Sequence, residues 1–419
     1  MMTNNKLSKF SFGVGDRFAH QAKAQLAAIQ KAEKQGIEIT PVWNKSFREH
    51  TIIKSKPIET REAADRAVKE LNWQKSYFLD ADHINLNTVD HFMDCCDFFT
   101  LDVADYIGKS TTENEIKNFV SRQAQFIGKV TLKGISKSFE ITNDLLYQIA
   151  GKYLFAIKEA GKIYRHIIQK KQNQNLVIEV SMDETNSPQT PLELLFILAA
   201  LAGEQIPLQT IAPKFSGRFN KGVDYVGDVD QFRQEFEEDL AVIQFAVSEF
   251  NIPDNLKLSI HSGSDKFSIY PVINEAVKKY NAGIHIKTAG TTWLEELIGL
   301  AEAGGSGLSI AKEIYIRAFE KADALCAPYA SVIDINTSQL PSPDEVKSWD
   351  GKKYAESLRH DQSNSNYNPH LRQLLHVGYK IAADMGADYL NALIENEQVI
   401  SKNVTENIFT RHIKPIFID

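Results

Sequence analysis

Cysteine is scarce in this 419-residue chain: Cys95, Cys96 and Cys326 are the three present, and two of them are adjacent. That pattern excludes a disulfide framework and a C-x-x-C zinc site, and predicts a reducing compartment. Long apolar runs are also missing. No window reaches the ~18 apolar residues a membrane helix needs, and MMTNNKLSKF lacks the apolar core of a signal peptide, so a cytoplasmic protein without a membrane partner is expected. Nor is there an excess of positive charge. The 47 Lys and Arg are outnumbered by 54 Asp and Glu, a net charge of −7, and basic residues are interspersed with acid. This argues against nucleic acid as a partner. Nucleotide-binding loops are absent as well. GVGDRF (13–18) has Phe18 where a third glycine would stand, and GGSG (304–307) lacks the P-loop lysine and reads as a helix–helix turn.

What is present is an ordinary globular composition, 43% hydrophobic and 24% charged, with eight short β-branched or aromatic runs. The runs are 9–15, 37–44, 77–84, 98–104, 176–184, 206–215, 256–262 and 283–290. Most are separated by one segment of helical apolar spacing, such as 19–36, 60–72 and 228–251, with Gly36 as a helix stop and Asp228 as an N-cap. Alternating strands and helices imply parallel strands with helical crossovers, and eight repeats is the count that closes a (β/α)8 TIM-like barrel. A doubly wound open sheet is the alternative. Residues 106–175 form an insertion after strand four, with a hairpin at 130–141 and a helix at 145–169. The domain reading is therefore a catalytic barrel over 1–330 that includes this insertion, and a C-terminal helical extension over 331–419 packed on it.

In such a barrel the active site lies at the C-terminal ends of the strands, and polar residues collect there. Strand three ends in Asp80, Asp82 and His83, strand four in Asp102 and Asp105, and strand five carries Glu179, Ser181 and Asp183 on one face, followed by Glu184. Strand seven ends at His261, and strand eight contains His285 and Lys287. A buried, unpaired Glu179 would cost several kcal/mol, so it points to chemistry rather than packing. His83 and His261 are candidate ligands for a divalent cation, Zn, Mn, Ni or Co, with His285 deeper in its strand. The alternative for each is a hydrogen-bonded strand end. His20, His50, His91, His166 and His360 fall on helices or loops and are expected to be solvated. Asp82 and Glu179 are candidates for an acid/base pair in either order. Lys221, Lys266 and Lys287 suit an anionic substrate, and Lys287 also has the option of a Schiff base.

The segments SFGVGDR (11–17), DADH (80–83), EVSMDET (179–185), KGVDY (221–225), LSIHSGSDKFSIYP (258–271), HIKTAGT (285–291) and RQLLHV (372–377) resemble the tagaturonate/fructuronate epimerase family of metal-dependent sugar-acid 4-epimerases. KSFREH (45–50) follows that pattern only loosely. The resemblance implies a small-molecule sugar or sugar-acid substrate, an oligomeric state left open, and a divalent metal. It makes Asp82 the proton acceptor, Glu179 the proton donor, and His83 and His261 ligands with His285 as a third. It also makes Arg17, Lys266, Lys287, Arg372 and Gln373 substrate-binding residues. A metal-dependent aldolase or lyase, and a non-catalytic sugar-acid binder, are the alternatives.

Overall fold

The computed structural model describes residues 6–172, 176–185, 187–288 and 290–419. Residues 1–5, 173–175 at the end of the insertion, Asn186, and Ala289 of the HIKTAGT motif lie outside the described residues.

Each of the eight strand-like runs contains one strand. In chain order the elements are β1 (Phe10–Val14), α1 (Ala22–Glu33), β2 (Ile39–Ser46), α2 (Phe47–Ile53), α3 (Pro57–Glu70), β3 (Phe78–Ile84), β4 (Phe98–Asp102), α4 (Glu113–Arg122), β5 (Gly128–Thr131), β6 (Ser138–Ile141) and α5 (Asn143–Lys171). They continue with β7 (Val177–Ser181), α6 (Pro191–Gly203), β8 (Leu208–Ala212), α7 (Val229–Glu249), β9 (Lys257–His261), α8 (Tyr270–Tyr280), β10 (Ile284–Thr288), α9 (Thr291–Ala303) and α10 (Gly305–Glu320). The parallel strands close a barrel in the order β1-β10-β9-β8-β7-β4-β3-β2, while β5 and β6 form a separate antiparallel hairpin. The fold is a (β/α)8 barrel with further C-terminal helices, not an open doubly wound sheet.

Local signals act where the sequence places them. Gly36 takes φ +82° and its N–H bonds the Glu33 carbonyl, while the Ile37 N–H reaches back to Ala32. This is a Schellman stop for α1. The Asp228 carboxylate accepts from the N–H groups of Asp230 and Gln231 and starts α7. Thr190 and Glu193 form a reciprocal capping box ahead of α6, with Pro191 at its first position.

The barrel interior is layered by the period of two along each strand. Leu7, Val42, Phe78, Phe98 and Val177 form an apolar plug at the N-terminal ends of the strands. Two residues further on, Asn44, Asp80, Thr100 and Glu179 are all buried. Two further still, Ser46, Asp82, Asp102 and Ser181 reach the C-terminal rim. The core of the barrel is thus apolar at one end and charged at the other.

Helix α5 packs on α4, α6 and β4, so the insertion supplies the crossover from β4 to β7. The C-terminal helices wrap one side of the barrel. Glu397–Glu406 packs on α1 and α9, and the closing π-helical segment Asn407–Ile418 packs on α1 and α8. Pro369–Val377 packs against α9 and α10 and brings Arg372 and His376 toward the rim. Among the described residues, no helix is long and apolar enough to cross a membrane.

A candidate metal and acid–base centre at the barrel mouth

Strand β3 carries the first irregularity. Its register against β4 shifts between Ala81 and Ile84, and His83 adopts φ +51°. In a regular strand His83 would point away from Asp82. The bulge and the left-handed residue turn it over the rim beside its neighbour, with His83 Nδ1 3.0 Å from Asp82 Oδ1.

Lys287 rises from β10 into the centre of the barrel. Its Nζ lies 2.6 Å from Asp80 Oδ2, 3.0 Å from Asp82 Oδ1, 2.8 Å from Glu179 Oε1 and 2.6 Å from Thr100 Oγ1. Gly13 makes room for it, since a Cβ there would lie 3.0 Å from Lys287 Cγ. Burial works against the ammonium, but Asp80, Asp82 and Glu179 overrule it and hold its pKa well above the lysine range. Burial likewise opposes ionisation of Asp82 and Glu179, and Lys287 with the neighbouring histidines keeps both well below the carboxylate range. Asp80 is pushed up to about 7 by burial, with Asp82 and Glu179 adding to the shift. A lysine held this firmly in its charged form is no Schiff-base nucleophile.

Above this layer, His83, Asp183 and His261 converge, with one ligand atom from each lying within 4.8 Å of the others. His83 Nε2 is 3.4 Å from Asp183 Oδ1, and His261 Nε2 is 2.8 Å from Glu179 Oε1. His261 Nδ1 is 3.2 Å from Asp183 Oδ2 yet makes no hydrogen bond. The donor set fits a divalent cation. Two imidazoles and a carboxylate face one point, and the cluster sets four carboxylates, Asp80, Asp82, Glu179 and Asp183, against Lys287 and two imidazoles whose pKa values those carboxylates raise against burial.

The other predicted residues divide. Arg17 lines the cleft, bonded to Glu49 Oε1 at 3.1 Å and to the His376 carbonyl at 3.3 Å, with its guanidinium 4.1 Å from the Tyr379 ring centroid. His285 does not join the ligand trio. It sits one layer below, with Nδ1 2.9 Å from Ser11 Oγ, and burial lowers its pKa to about 3. Lys266, Arg372 and Gln373 do not line the cleft. Lys266 Nζ donates to the carbonyls of Asn220, Val223 and Asp265, and burial pushes it down to about 7. Arg372 donates to the carbonyls of Gly222 and Leu358 and to Asp265 Oδ2 at 2.8 Å. Gln373 bridges the backbone N–H and C=O of Asp334. These three tie loops together. His50 and His360, read as solvated, are buried: His50 Nδ1 faces Ser55, and His360 Nδ1 lies 3.2 Å from Asp265 Oδ2.

The sequence reading left out Asp183 as a ligand, although it had placed that residue on the Glu179 face. The alternative reading of Asp80 and Asp82, pairing with a lysine, is met by Lys287, whereas Arg48, Tyr329, His376 and Tyr379, which line the cleft, carry no signal of their own in the sequence. The cleft comprises two adjoining cavities of about 280 and 450 Å³ that share Arg48, Asp82, His83, Glu184, Lys221, Gly263 and Tyr329. This is the size of a small-molecule site.

A family model for tagaturonate epimerase matches residues 2–416. The chain is 26% identical over 418 residues to the tagaturonate/fructuronate epimerase of Thermotoga maritima, covering 96% of this chain and 80% of that one. Crystal structures of the fructuronate-tagaturonate epimerase of Cohnella laeviribosi share the fold at 24% identity. The native form has a TM-score of 0.80, covering 98% of this chain and 82% of that one, and a two-glycerol complex 0.81, covering 100% and 83%.

Proposed function

This chain belongs to the tagaturonate epimerase family and is an epimerase, and from that premise we propose that it interconverts D-tagaturonate and D-fructuronate by inversion at C4, with D-tagatose and D-fructose as further substrates. The observation that carries the reading is the Asp82 carboxylate. It lines the cleft, stays ionised, and stands between Lys287 and the His83, Asp183 and His261 trio.

The ketone at C2 does not acidify the C4 hydrogen, so reversible cleavage of the C3–C4 bond is the economical route to inversion. His83, His261 and Asp183 would hold the divalent cation, which when bound supplies Lewis-acid polarisation of substrate oxygens. Asp82 accepts the proton of the C4 hydroxyl. As O4 becomes a carbonyl oxygen, the C3–C4 bond breaks and its electron pair forms the C2–C3 enediolate of the ketone fragment. The aldehyde fragment turns, the bond re-forms on its other face, and O4 takes back a proton. Glu179 lies below the cleft and acts through Lys287, whose Nζ is 2.8 Å from it and 3.0 Å from Asp82. Enclosure of the cleft keeps the two fragments together.

The test is NMR of C4-deuterated D-tagaturonate incubated with the enzyme, with and without a chelator. Retention of deuterium in D-fructuronate, with loss of turnover on chelation, is expected. Exchange of the deuterium into water would overturn reversible cleavage. Free three-carbon aldehyde would identify a lyase, and metal-independent binding without turnover would identify a binding protein.

A further inference from the structure

The cleft is electrically lopsided. Its floor is the carboxylate-rich centre, whereas the wall formed by the loop after β1, α2, the 221–225 segment and the Pro369–Val377 helix carries Arg17, Arg48 and Lys221. Arg17 is already committed to Glu49 and the His376 carbonyl. Arg48 and Lys221 are not. Among the described residues neither has a carboxylate within ion-pairing distance. Glu184, the acid that faces Arg48 across the cleft, is exposed and closes no pair with it.

This wall is also held in place. The Arg48 guanidinium lies 5.0 Å from the Tyr329 ring centroid, Tyr329 Oη is 3.1 Å from Tyr379 Oη, and the Tyr379 ring carries Arg17. The two bonded tyrosines set one ring beside each guanidinium, and Arg48 itself stays exposed at the cleft. A second observation points to a ligand here. His376 lines the same cavity, is 2% exposed, and its Nε2 has no hydrogen-bond partner. Burial, then Arg17, Lys221, Arg372 and Lys266, push its pKa well below the usual value. Burial favours the neutral imidazole first, and the positive wall around it adds to the shift.

We propose that Arg48 and Lys221, backed by His376, form the subsite for the substrate carboxylate, so that the cleft selects a hexuronate over the matching neutral ketohexose. This deepens the epimerase reading and rests on it. The hexuronate carries its ketone and its carboxylate at opposite ends. With the ketone end over Asp82 and the metal-binding trio, the carboxylate falls to the basic wall. Arg48 supplies a planar donor pair and Lys221 a point charge, while the neutral His376 imidazole backs them against Gly290.

The test compares the full-length enzyme with Arg48→Gln, Lys221→Met and the double variant. KM and kcat are measured for D-tagaturonate and D-tagatose, and calorimetric binding for D-galactonate and galactitol, which differ only in a carboxylate. Each single variant is expected to raise KM for tagaturonate about 10- to 100-fold with kcat changed by less than about threefold, the signature of lost uniform binding. Galactonate binding should weaken by a similar factor and galactitol binding should not, and Arg48→Lys should recover part of the loss. Equal losses on tagaturonate and tagatose, or unchanged galactonate binding, would overturn the subsite. If the wild type fails to turn over tagaturonate yet holds galactonate through Arg48 and Lys221, the epimerase reading fails and the subsite stands.

Discussion

Lys287 and Asp265 are both sealed from solvent, and their surroundings are near mirror images. Lys287 is one ammonium among three carboxylates. Asp265 is one carboxylate bonded by Arg372 at 2.8 Å, with His360 and His412 each at 3.2 Å and Thr291 at 3.0 Å. The first cluster sets three carboxylates on one ammonium, leaves the remaining negative charge to His83, His261 or a bound cation, and opens to the cleft. The second is matched by a single guanidinium and polar groups, and it is closed. Chemistry follows the imbalance: surplus negative charge in a dry site calls for a second cation, whereas a balanced buried pair only fixes position. What Asp265 fixes is the 262–266 loop, which follows His261 and is thereby tied to the C-terminal helices.

Four experiments break or sharpen this contrast. Asp82→Asn should lower kcat by about 10²- to 10⁴-fold while metal content and melting temperature stay near normal, because it removes one of several surplus carboxylates. Asp265→Asn should behave in the opposite way. It leaves the Arg372 guanidinium buried without its counter-charge, at a cost of about 3–5 kcal/mol in urea unfolding, and the paired change Asp265→Leu with Arg372→Met should cost less than the single one. A single variant as stable as the wild type would show that the closed cluster is not the anchor described here.

Metal content separates the clusters next. His83→Ala and Asp183→Ala should each reduce bound divalent metal, read by atomic emission, by about 10-fold or more, whereas Arg372→Met should leave it unchanged in whatever folds. Full occupancy in Asp183→Ala would remove that residue from the ligand set and return His285 to consideration.

The smallest effect is in acid. Asp80 has a folded pKa raised to about 7, so between about 4 and 7 the native state binds more protons than the unfolded chain and stability falls as pH rises. Asp265 is held well below the carboxylate range, first against burial and then by Arg372. Its contribution is present above the unfolded value near 4 and is lost as pH falls further. Asp80→Asn should therefore flatten the pH dependence of the urea midpoint between 4 and 7, by at most about 1.4 kcal/mol per pH unit, and leave the acid limb unchanged.

The same contrast explains what the sequence made legible. The eight strands were readable because each is a short apolar run bounded by a helical pattern, and the period of two put Glu179, Ser181 and Asp183 on one face. Lys266, Arg372 and Gln373 lie outside the cleft, and a shared motif marks a residue as needed without saying whether it touches a ligand or a loop carbonyl. The orientation of His83 depends on a bulge in β3 that forms only in register with β4, and no local signal announces it. His360 reads as a loop histidine, and it is buried because helices distant in sequence fold over it. His285 lies two residues before Lys287, which places it a full layer deeper than the rim.

The apolar plug of Leu7, Val42, Phe78, Phe98 and Val177 makes the barrel a vessel with one opening. Whatever reaches the charged floor, whether proton, ion or sugar, enters and leaves by the same door. A sugar lying across the cleft therefore stands between the His83, Asp183 and His261 trio and the bulk solution. If an ion is held there, its exchange would be confined to the intervals between turnovers, and a working enzyme would be expected to resist a chelator longer than an idle one.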